Sequence, residues 1–488
     1  MASSDQAGND QTPLLPESAE AAISQHPLFS RRRRVLLILS ASIFLADFGV
    51  VLAFAPNIAI YEAAICRQTH NSPSPTACKS AAVQSELALI TGIKDTFGQI
   101  PGVLLALPYG FIADRIGRRP VLLLCFIGMI LEEAACRLIA ASASRIPLRV
   151  LWAAPAMQIL GGGPQVLTSM SYAMLTDAFS PDERALVYYQ LAAVVLIGET
   201  LAPLASAALM WRFDPWVPSL TGLSLIVLGA STAGLLPETM SVSSPSACPA
   251  LATNSPEEEV SAPLGSSRTW MNTVKTGIQN MRTSNSIPSN IFYALAAFAL
   301  GHTAPESVQL VVQYASVRFS WSIAQAGLLL TLKSIVTLII MLLVLPQLSK
   351  IVGRRRSASA RDYKVSQISV WTLFIGAGVM ALAAHATVFA LGLGILAAGW
   401  GYYSALRSFA VALVKPTQIA TINTAIAMAS SLGTMLAGPI LATAFRRGIR
   451  SDGVAMGLPY AVEAVLLLAA CFFLQCIGKS QESQGVAQ

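Results

Sequence analysis

The chain is poor in charged residues. Lys, Arg, Asp and Glu make up 12% of its 488 residues, about half the share found in soluble domains. Hydrophobic residues make up 54% of the chain, and the mean hydropathy is +0.60. This composition excludes an ordinary water-soluble protein and indicates a chain that resides in a lipid bilayer.

Motifs for catalysis and nucleotide binding are missing as well. The chain has four histidines, but it contains no H-E-x-x-H, no G-x-S-x-G and no paired-cysteine motif. Gly478-Lys479-Ser480 resembles the end of a P-loop, yet Phe473 stands where that motif requires its first glycine. We therefore expect no enzyme, no nucleotide-driven pump, no cofactor and no bound metal.

What the chain does have is a series of apolar stretches. Each is about 20 residues or longer, enough to cross roughly 30 Å of hydrocarbon, and must be helical because backbone groups in lipid need partners within their own segment. We predict an all-α membrane protein with twelve transmembrane helices at residues 35–57, 87–113, 120–142, 148–177, 185–210, 217–237, 289–313, 325–348, 366–386, 388–410, 420–445 and 458–477.

The spans form two groups of six. The predicted domains are an N-terminal bundle at 35–237 and a C-terminal bundle at 289–477, joined by a flexible linker at 238–288 that is rich in Ser, Pro and Glu. Residues 1–34 are predicted to be a disordered tail and residues 478–488 a second tail.

The distribution of Lys and Arg predicts the orientation. Nineteen fall in the tails and loops on the side of the termini, and nine fall on the opposite side. The positive-inside rule places both termini in the cytoplasm. The net charge of +7 is thus a topology signal, and we expect no nucleic-acid partner. Cys66 and Cys78 share one outer loop, where the oxidising exterior permits a disulfide.

The two halves repeat each other. Gly117-Arg118-Arg119 recurs as Gly353-Arg354-Arg355, and Pro203 recurs as Pro439; the offset, from 117 to 353 and from 203 to 439, is 236 residues in both cases. A fixed offset indicates an internal repeat. Repeated helical bundles are typical of secondary transporters, whose substrate site lies near the midplane between them.

The stretch GFIADRIGRR at 110–119 resembles the loop signature of the major facilitator superfamily. Its matching residues are Gly110, Asp114, Arg115, Gly117, Arg118 and Arg119. Leu236-Pro237-Glu238-Thr239 resembles the end of the sixth helix in that family, and Gly198 with Ala202-Pro203 resembles the helix-five motif of antiporters. Residues 55–67 and 313–327 are similar to fungal members linked to secondary-metabolite export.

The resemblance implies a secondary transporter that works by alternating access and exports a small amphipathic compound in exchange for protons. In the family, the acid at the position of Asp114 stabilises the outward-open state by contacting the eleventh helix. We expect Asp114 to pair with Arg118 or to cap a helix N-terminus, so that the loop acts as a latch. The alternative is that its arginines only determine topology.

Charged residues inside the spans are the candidates for function, because each costs roughly 2.5–3.5 kcal/mol at mid-helix. Asp47 in the first span and Glu199 in the fifth are predicted to couple protons; the alternative is that neighbouring groups simply satisfy them. Glu133 and Arg137 stand four residues apart and are predicted to form an ion pair. Lys94 and Asp95 are expected to reach the outer surface.

Further residues are predicted to bind substrate. They are Glu306, Lys333, Tyr402, Tyr403 and Arg407, the tyrosines by stacking on a flat ligand and the cations by holding an anionic group. Lys333 and Arg407 could instead neutralise buried acids. His302 could relay protons with Glu306, or it could be a hydrogen-bonded core histidine.

Other classes of function remain open. A symporter that takes up a nutrient and a non-transporting sensor would both use the same fold. The expected partners are a small-molecule substrate, protons and the lipid bilayer, and the expected state is a monomer. We predict a plasma-membrane location; residues 10–15 match a dileucine sorting signal, which leaves the vacuolar membrane as the alternative.

Overall fold

The computed structural model describes residues 17–69, 74–179, 181–239, 289–353, 358–414, 419–451 and 453–485. Within these ranges the regular elements are helices, and no strand occurs. The all-helical fold follows from the apolar sequence, since a helix satisfies its own backbone groups in lipid. Arg354–Arg356, the basic end of the repeated loop motif, lie outside the described residues.

The N-terminal half contains seven described helices. They are α1 (Glu17–Thr69), α2 (Pro75–Cys78), α3 (Ala81–Ile116), α4 (Arg118–Ala141), α5 (Gly163–Ala178), α6 (Pro181–Arg212) and α7 (Trp216–Ala233). A 3-10 helix, Leu148–Ile159, precedes α5. The predicted fourth span therefore consists of two segments.

The C-terminal half follows the same pattern with more breaks. Its helices are α8 (Ser289–Gly301), α9 (Thr303–Gln309), α10 (Val311–Arg318), α11 (Ile323–Ile339), α12 (Leu345–Gly353), α13 (Ala358–Leu382), α14 (Ala386–Ala398), α15 (Tyr402–Ala412), α16 (Ile419–Ser451) and α17 (Leu458–Gly485). A π-helical segment, Ile340–Val344, joins α11 to α12. The 3-10 segments Gly399–Gly401 and Gly453–Gly457 precede α15 and α17.

Eight helical stretches of the described residues, some of which join two of these helices, are long and apolar enough to cross a membrane. A ninth span results when the two parts of α3, which bend by 51° next to Pro108, are taken together; proline removes a backbone donor and bends a helix. The remaining three predicted spans do not qualify in the described structure. The third carries charges in α4, and the fourth and seventh are broken.

The first helix is longer than predicted. It begins at Glu17, whereas the sequence predicts a disordered tail as far as residue 34. The stretch ESAEAAIS is rich in Ala and Glu, which are good helix formers, and a helix that is already nucleated extends at low cost. This part of the tail therefore continues the membrane helix.

The two halves pack together mainly at one end. There, α3 runs along α16 and α6 along α11. We call the end that carries Cys66 and Cys78 the disulfide end, and the end that carries Gly117 the loop-motif end. One apolar core joins both halves at the disulfide end and continues through the C-terminal half, whereas the N-terminal half has a separate core at the loop-motif end. The halves are thus joined at the disulfide end.

Candidate substrate and proton site

A cavity of about 720 Å³ lies between the two halves. The N-terminal half contributes most of its wall, from α1, α3, α4, α5 and α6, and the C-terminal half contributes Glu306, Gln309, Thr337, Met341 and Trp400. A smaller chamber of about 220 Å³ lies toward the disulfide end. The residues that line both spaces, and so mark their boundary, are Val50, Lys94, Asp95, Glu133, Glu306 and Gln309.

Asp47 lines the cavity from the middle of α1. Its Oδ2 atom is buried and has no hydrogen-bond partner among the described residues. Gly198 of α6 faces it, and a Cβ atom at that position would lie 3.3 Å from Oδ2. The helix-five glycine therefore allows α6 to approach the acid closely.

Glu199 pairs with Lys333 across the two halves. The Lys333 ammonium lies 3.5 Å from the Glu199 carboxylate and 4.4 Å from the centroid of the Trp400 ring, which it covers. Glu199 follows Gly198, which faces Asp47. The interpretation of Lys333 as a counter-charge thus has direct geometric support for Glu199.

The expectation that Lys94 reaches the outer surface is wrong. Its ammonium lines the cavity, 3.5 Å from the Asp95 carboxylate and 3.8 Å from the Glu132 carboxylate. The reason is the start of the helix: α3 begins at Ala81, so Lys94 lies about 20 Å along it at 1.5 Å per residue. Sequence reasoning missed this cluster because the predicted span begins later, at residue 87.

The two neighbouring acids of α4, Glu132 and Glu133, have different partners. Glu133 forms an ion pair with Arg137 at 2.5 Å, as predicted, and Arg137 also donates to the carbonyl oxygen of Ser219 at 2.8 Å. Glu132 accepts a hydrogen bond from the Gln158 amide. Arg137 therefore compensates Glu133, while Glu132 depends on Lys94 and Gln158.

Tyr402 and Tyr403 do not line either space described above, contrary to the prediction that they bind substrate. The Tyr402 hydroxyl donates to the carbonyl oxygen of Ala297 at 2.7 Å, and the Tyr403 hydroxyl donates to that of Gly301 at 2.9 Å. Both rings pack inside the C-terminal half, because the neighbouring helix α8 covers that face of α15. Trp400, two residues before Tyr402, is the aromatic residue of this stretch that lines the cavity.

Glu306 lines the cavity, as its predicted role in substrate binding requires. His302 and Arg407 do not form a binding site with it in the described structure. The Nδ1 atom of His302 donates to the carbonyl oxygen of Phe298 at 3.0 Å, and its ring packs edge-on against Tyr403. It is a hydrogen-bonded core histidine. Arg407 is exposed and is not among the described residues that line the cavity.

The loop motif forms a charge network within the N-terminal half. The Asp114 carboxylate lies 3.8 Å from the Arg118 guanidinium, and its side chain is 64% exposed. Arg118 also pairs with Asp177, at the end of α5, at 2.5 Å. Arg115 is exposed, and Gly110 faces open space. Of the two expected roles of Asp114, the structure shows the pairing with Arg118.

A different acid caps the helix after the motif. The Glu238 carboxylate accepts the backbone N–H groups of Arg118 at 3.0 Å and of Arg119 at 3.1 Å. Gly117 has a φ of 103°, and a Cβ atom there would lie 2.4 Å from Glu238, so glycine is required. A negative charge at these free N–H groups is favourable. From the sequence, Glu238 was recognised only as part of a motif that resembles the family. Its role as a cap could not be seen, because the N–H groups that it accepts lie about 120 residues away in the chain.

At the disulfide end, polar contacts close the gap between the halves. Cys66 and Cys78 are bonded, and the adjacent Lys79 reaches the Glu62 carboxylate at 2.9 Å and the Ser316 hydroxyl of the other half. Gln313 donates to the carbonyl oxygen of Gln84 at 2.7 Å. The cavity is therefore sealed from this side.

Two helical bundles that enclose a polar cavity at their interface are the architecture of many secondary transporters. Residues 36–438 match the family model of the Major Facilitator Superfamily, and the chain belongs to this superfamily. The predicted resemblance is thus confirmed, and so is the prediction of a transporter rather than an enzyme.

Relatives with similar sequences are fungal. The MFS efflux pump atnC of Emericella nidulans is 29% identical, with 99% of this chain and 96% of the relative aligned. The efflux pump ustT of Aspergillus flavus is also 29% identical, over 89% of this chain and 87% of the relative. These names agree with the predicted resemblance to fungal exporters.

Solved structures share the fold. The human organic anion transporter MFSD10 aligns with a TM-score of 0.57 at 18% identity, covering 91% of this chain and 99% of that one. The nucleoside transporter NupG aligns with a TM-score of 0.63 at 10% identity, covering 90% and 99%.

Proposed function

We propose that this protein is a proton-coupled exporter of a small amphipathic organic compound, such as a fungal secondary metabolite. The observation that carries the proposal is the cluster of Asp47, Glu199 and Lys333 beside the cavity, in which the Lys333 ammonium pairs with Glu199 while Oδ2 of Asp47 is buried without a partner in the described structure. The relatives named as efflux pumps support the direction of transport.

The cluster gives a reason for coupling. With both acids ionised, it carries one negative charge more than its single cation compensates, and an uncompensated charge away from water is costly. A proton on Asp47 or on Glu199 removes this excess. Because Lys333 and Glu199 belong to different halves, a change in their pairing acts directly on the interface that must rearrange in alternating access.

The state of the structure fits the loading step of export. The halves are joined at the disulfide end, and the exposed Asp114 is paired within its own motif. We assign the loop-motif end to the cytoplasm, because the positive-inside rule places both termini there. Substrate then enters from the cytoplasm, and Asp114 reaches the eleventh helix, α16, only when that side closes.

Twelve crossings complete this topology. Nine spans meet the length and hydropathy criterion among the described residues. In the third span, α4, the charges of Glu133 and Arg137 neutralise each other in an ion pair. The fourth and seventh contain breaks, and both contribute cavity residues, Gln158 and Glu306; irregular backbone is tolerated at membrane depth where it lines a cavity.

Proton coupling supplies enough energy for export. One proton that enters down about 100 mV contributes roughly 2.3 kcal/mol, and one pH unit adds about 1.4 kcal/mol. Together they support a substrate gradient of about 500-fold. The proposal includes a monomer in the plasma membrane, with the vacuolar membrane as the alternative.

The test compares fungal strains by mass spectrometry. One strain lacks the gene, one carries it, and one carries Asp47→Asn; extracts of cells and of medium are compared. The proposal expects one compound to accumulate in the cells of the first and third strains. Failure of the deletion strain to take up a supplied compound would indicate a symporter, and unchanged metabolites would favour a sensor.

A further inference from the structure

The wall of the cavity has many more hydrogen-bond acceptors than donors. Among its described lining residues are five carboxylates, and the single basic side chain is Lys94; the acids are Asp47, Asp95, Glu132, Glu133 and Glu306. Arg137 compensates one of them from behind the wall. The remaining acids exceed the available cations.

Neutral side chains show the same excess. Gln158 is only 6% exposed, and its amide nitrogen donates to Glu132, which leaves its Oε1 atom buried without a partner in the described structure. Gln165 donates to Gln99 at 2.5 Å, and its Oε1 atom is likewise buried without a partner there. Buried polar groups normally have hydrogen-bond partners, so these oxygens call for a donor.

Four lining side chains have such a buried atom: Asp47, Gln158, Gln165 and Thr337. The orphan atoms of the first three are oxygens that, with the carboxylate ionised, accept only. The hydroxyl of Thr337, which is 1% exposed, can accept as well as donate. The wall therefore complements a molecule that brings donors.

The geometry points to an amphipathic amine, carrying an ammonium group at neutral pH, as the substrate class, with Asp47 accepting from its polar end. This inference rests on the proposed function, since it concerns the same cavity. It deepens that function because an ammonium and a proton each remove the excess negative charge, and so compete for it, as exchange requires.

The cations of the site argue against an anionic substrate. Lys333 is engaged by Glu199 at 3.5 Å, and Lys94 lies between Asp95 and Glu132. An anion would have to displace a carboxylate from one of them and approach the surplus acids. An ammonium would displace no carboxylate from either lysine.

The test measures binding to the purified full-length protein in detergent by isothermal titration calorimetry. Three probes share one ring system and differ in charge: 1-naphthylmethylamine, 1-naphthalenemethanol and 1-naphthoic acid. Titration into protein-free micelles corrects for partitioning. The amine should bind about tenfold more tightly than either analogue, the size expected for one charge-assisted hydrogen bond.

Variants test which residue is responsible for the preference for the amine. Asp47→Asn should weaken binding of the amine about tenfold and leave the alcohol unchanged. Asp214→Asn is the matched control, because Asp214 lies in an exposed turn where it accepts from the Trp216 N–H, a bond that asparagine can keep. Thermal unfolding checks that each variant is folded.

Equal binding of the three probes, tighter binding of the acid, or no binding of any probe would overturn the amine assignment. The measurement uses no proton gradient, so it is separate from the proposed coupling. A protein that prefers the amine but transports without protons would refute the coupling alone.

Discussion

The seam between α3 and α16 offers a direct test of how the halves move. Gly92 and Gly438 face each other there, and a Cβ atom added to Gly438 would lie 2.6 Å from the carbonyl oxygen of Gly92. Thr96 also donates to the carbonyl oxygen of Met435 at 3.1 Å. Gly438→Ala should therefore open the disulfide end.

The size of the effect follows from the contact. Ordinary contact begins at 3.4 Å, so the added methyl group is about 0.8 Å too close to rigid backbone. Overpacking of this kind costs about 1–3 kcal/mol, which shifts a two-state equilibrium by about 5–150-fold. Each bundle stays intact when the halves separate, and the cost therefore falls on the closed state of the disulfide end.

Spin labels report the change. Ser144 and Ala384 are exposed, lie at the disulfide end and belong to different halves, so cysteines there can be labelled and the distance measured by electron paramagnetic resonance. Cys248 and Cys476 are replaced by serine; Cys125, Cys136 and Cys471 are buried. Gly438→Ala should add a population with longer distances.

The matched control lies on α3, the other helix of this seam. A Cβ atom at Gly98 meets nothing within 4 Å, so Gly98→Ala should leave the distances unchanged. If Gly438→Ala gives the same distances as Gly98→Ala, the reasoning about the seam is refuted.

Three further predictions concern stability and are measured by thermal unfolding of purified protein. The double-mutant cycle of Glu199→Gln and Lys333→Met should give a coupling energy of about 1–2 kcal/mol; additive effects would contradict the pairing across the halves. Glu238→Gln should destabilise by about 1–2 kcal/mol, because the charge that caps α4 is lost, and wild-type stability would exclude that cap. Replacing Cys66 and Cys78 by serine should cost about 2–4 kcal/mol, while an unchanged midpoint would show that the bond does not stabilise the fold.

The sequence predicts best those features that depend on local pattern. The loop motif, the ion pair of Glu133 with Arg137 and the bond between Cys66 and Cys78 all join residues close in sequence. Asp47 and Glu199 were identifiable because acids are costly inside a span. Hydropathy and short-range spacing carry this information.

Features that depend on tertiary packing could not be predicted. Whether Tyr402 or Trp400 faces the cavity depends on which side of the tenth span α8 covers, and both rings fit the sequence equally well. The ion-pair partner of Lys333 lies in the other half of the protein, and the sequence alone offers three acids as candidates for it. Lys94 was placed wrongly because the true start of α3 precedes the apolar run.

The central claim is that protons on Asp47 and Glu199 change the balance between the two states of the transporter. Labels at Ile116→Cys and Ile351→Cys, which are 60% and 66% exposed at the loop-motif end of the two halves, report that balance. Lowering the pH from about 8 to about 5, across the range in which perturbed carboxyl groups titrate, should shift the distances in the otherwise unchanged protein. The double variant Asp47→Asn, Glu199→Gln should show no shift, and a full shift in that variant would contradict the claim.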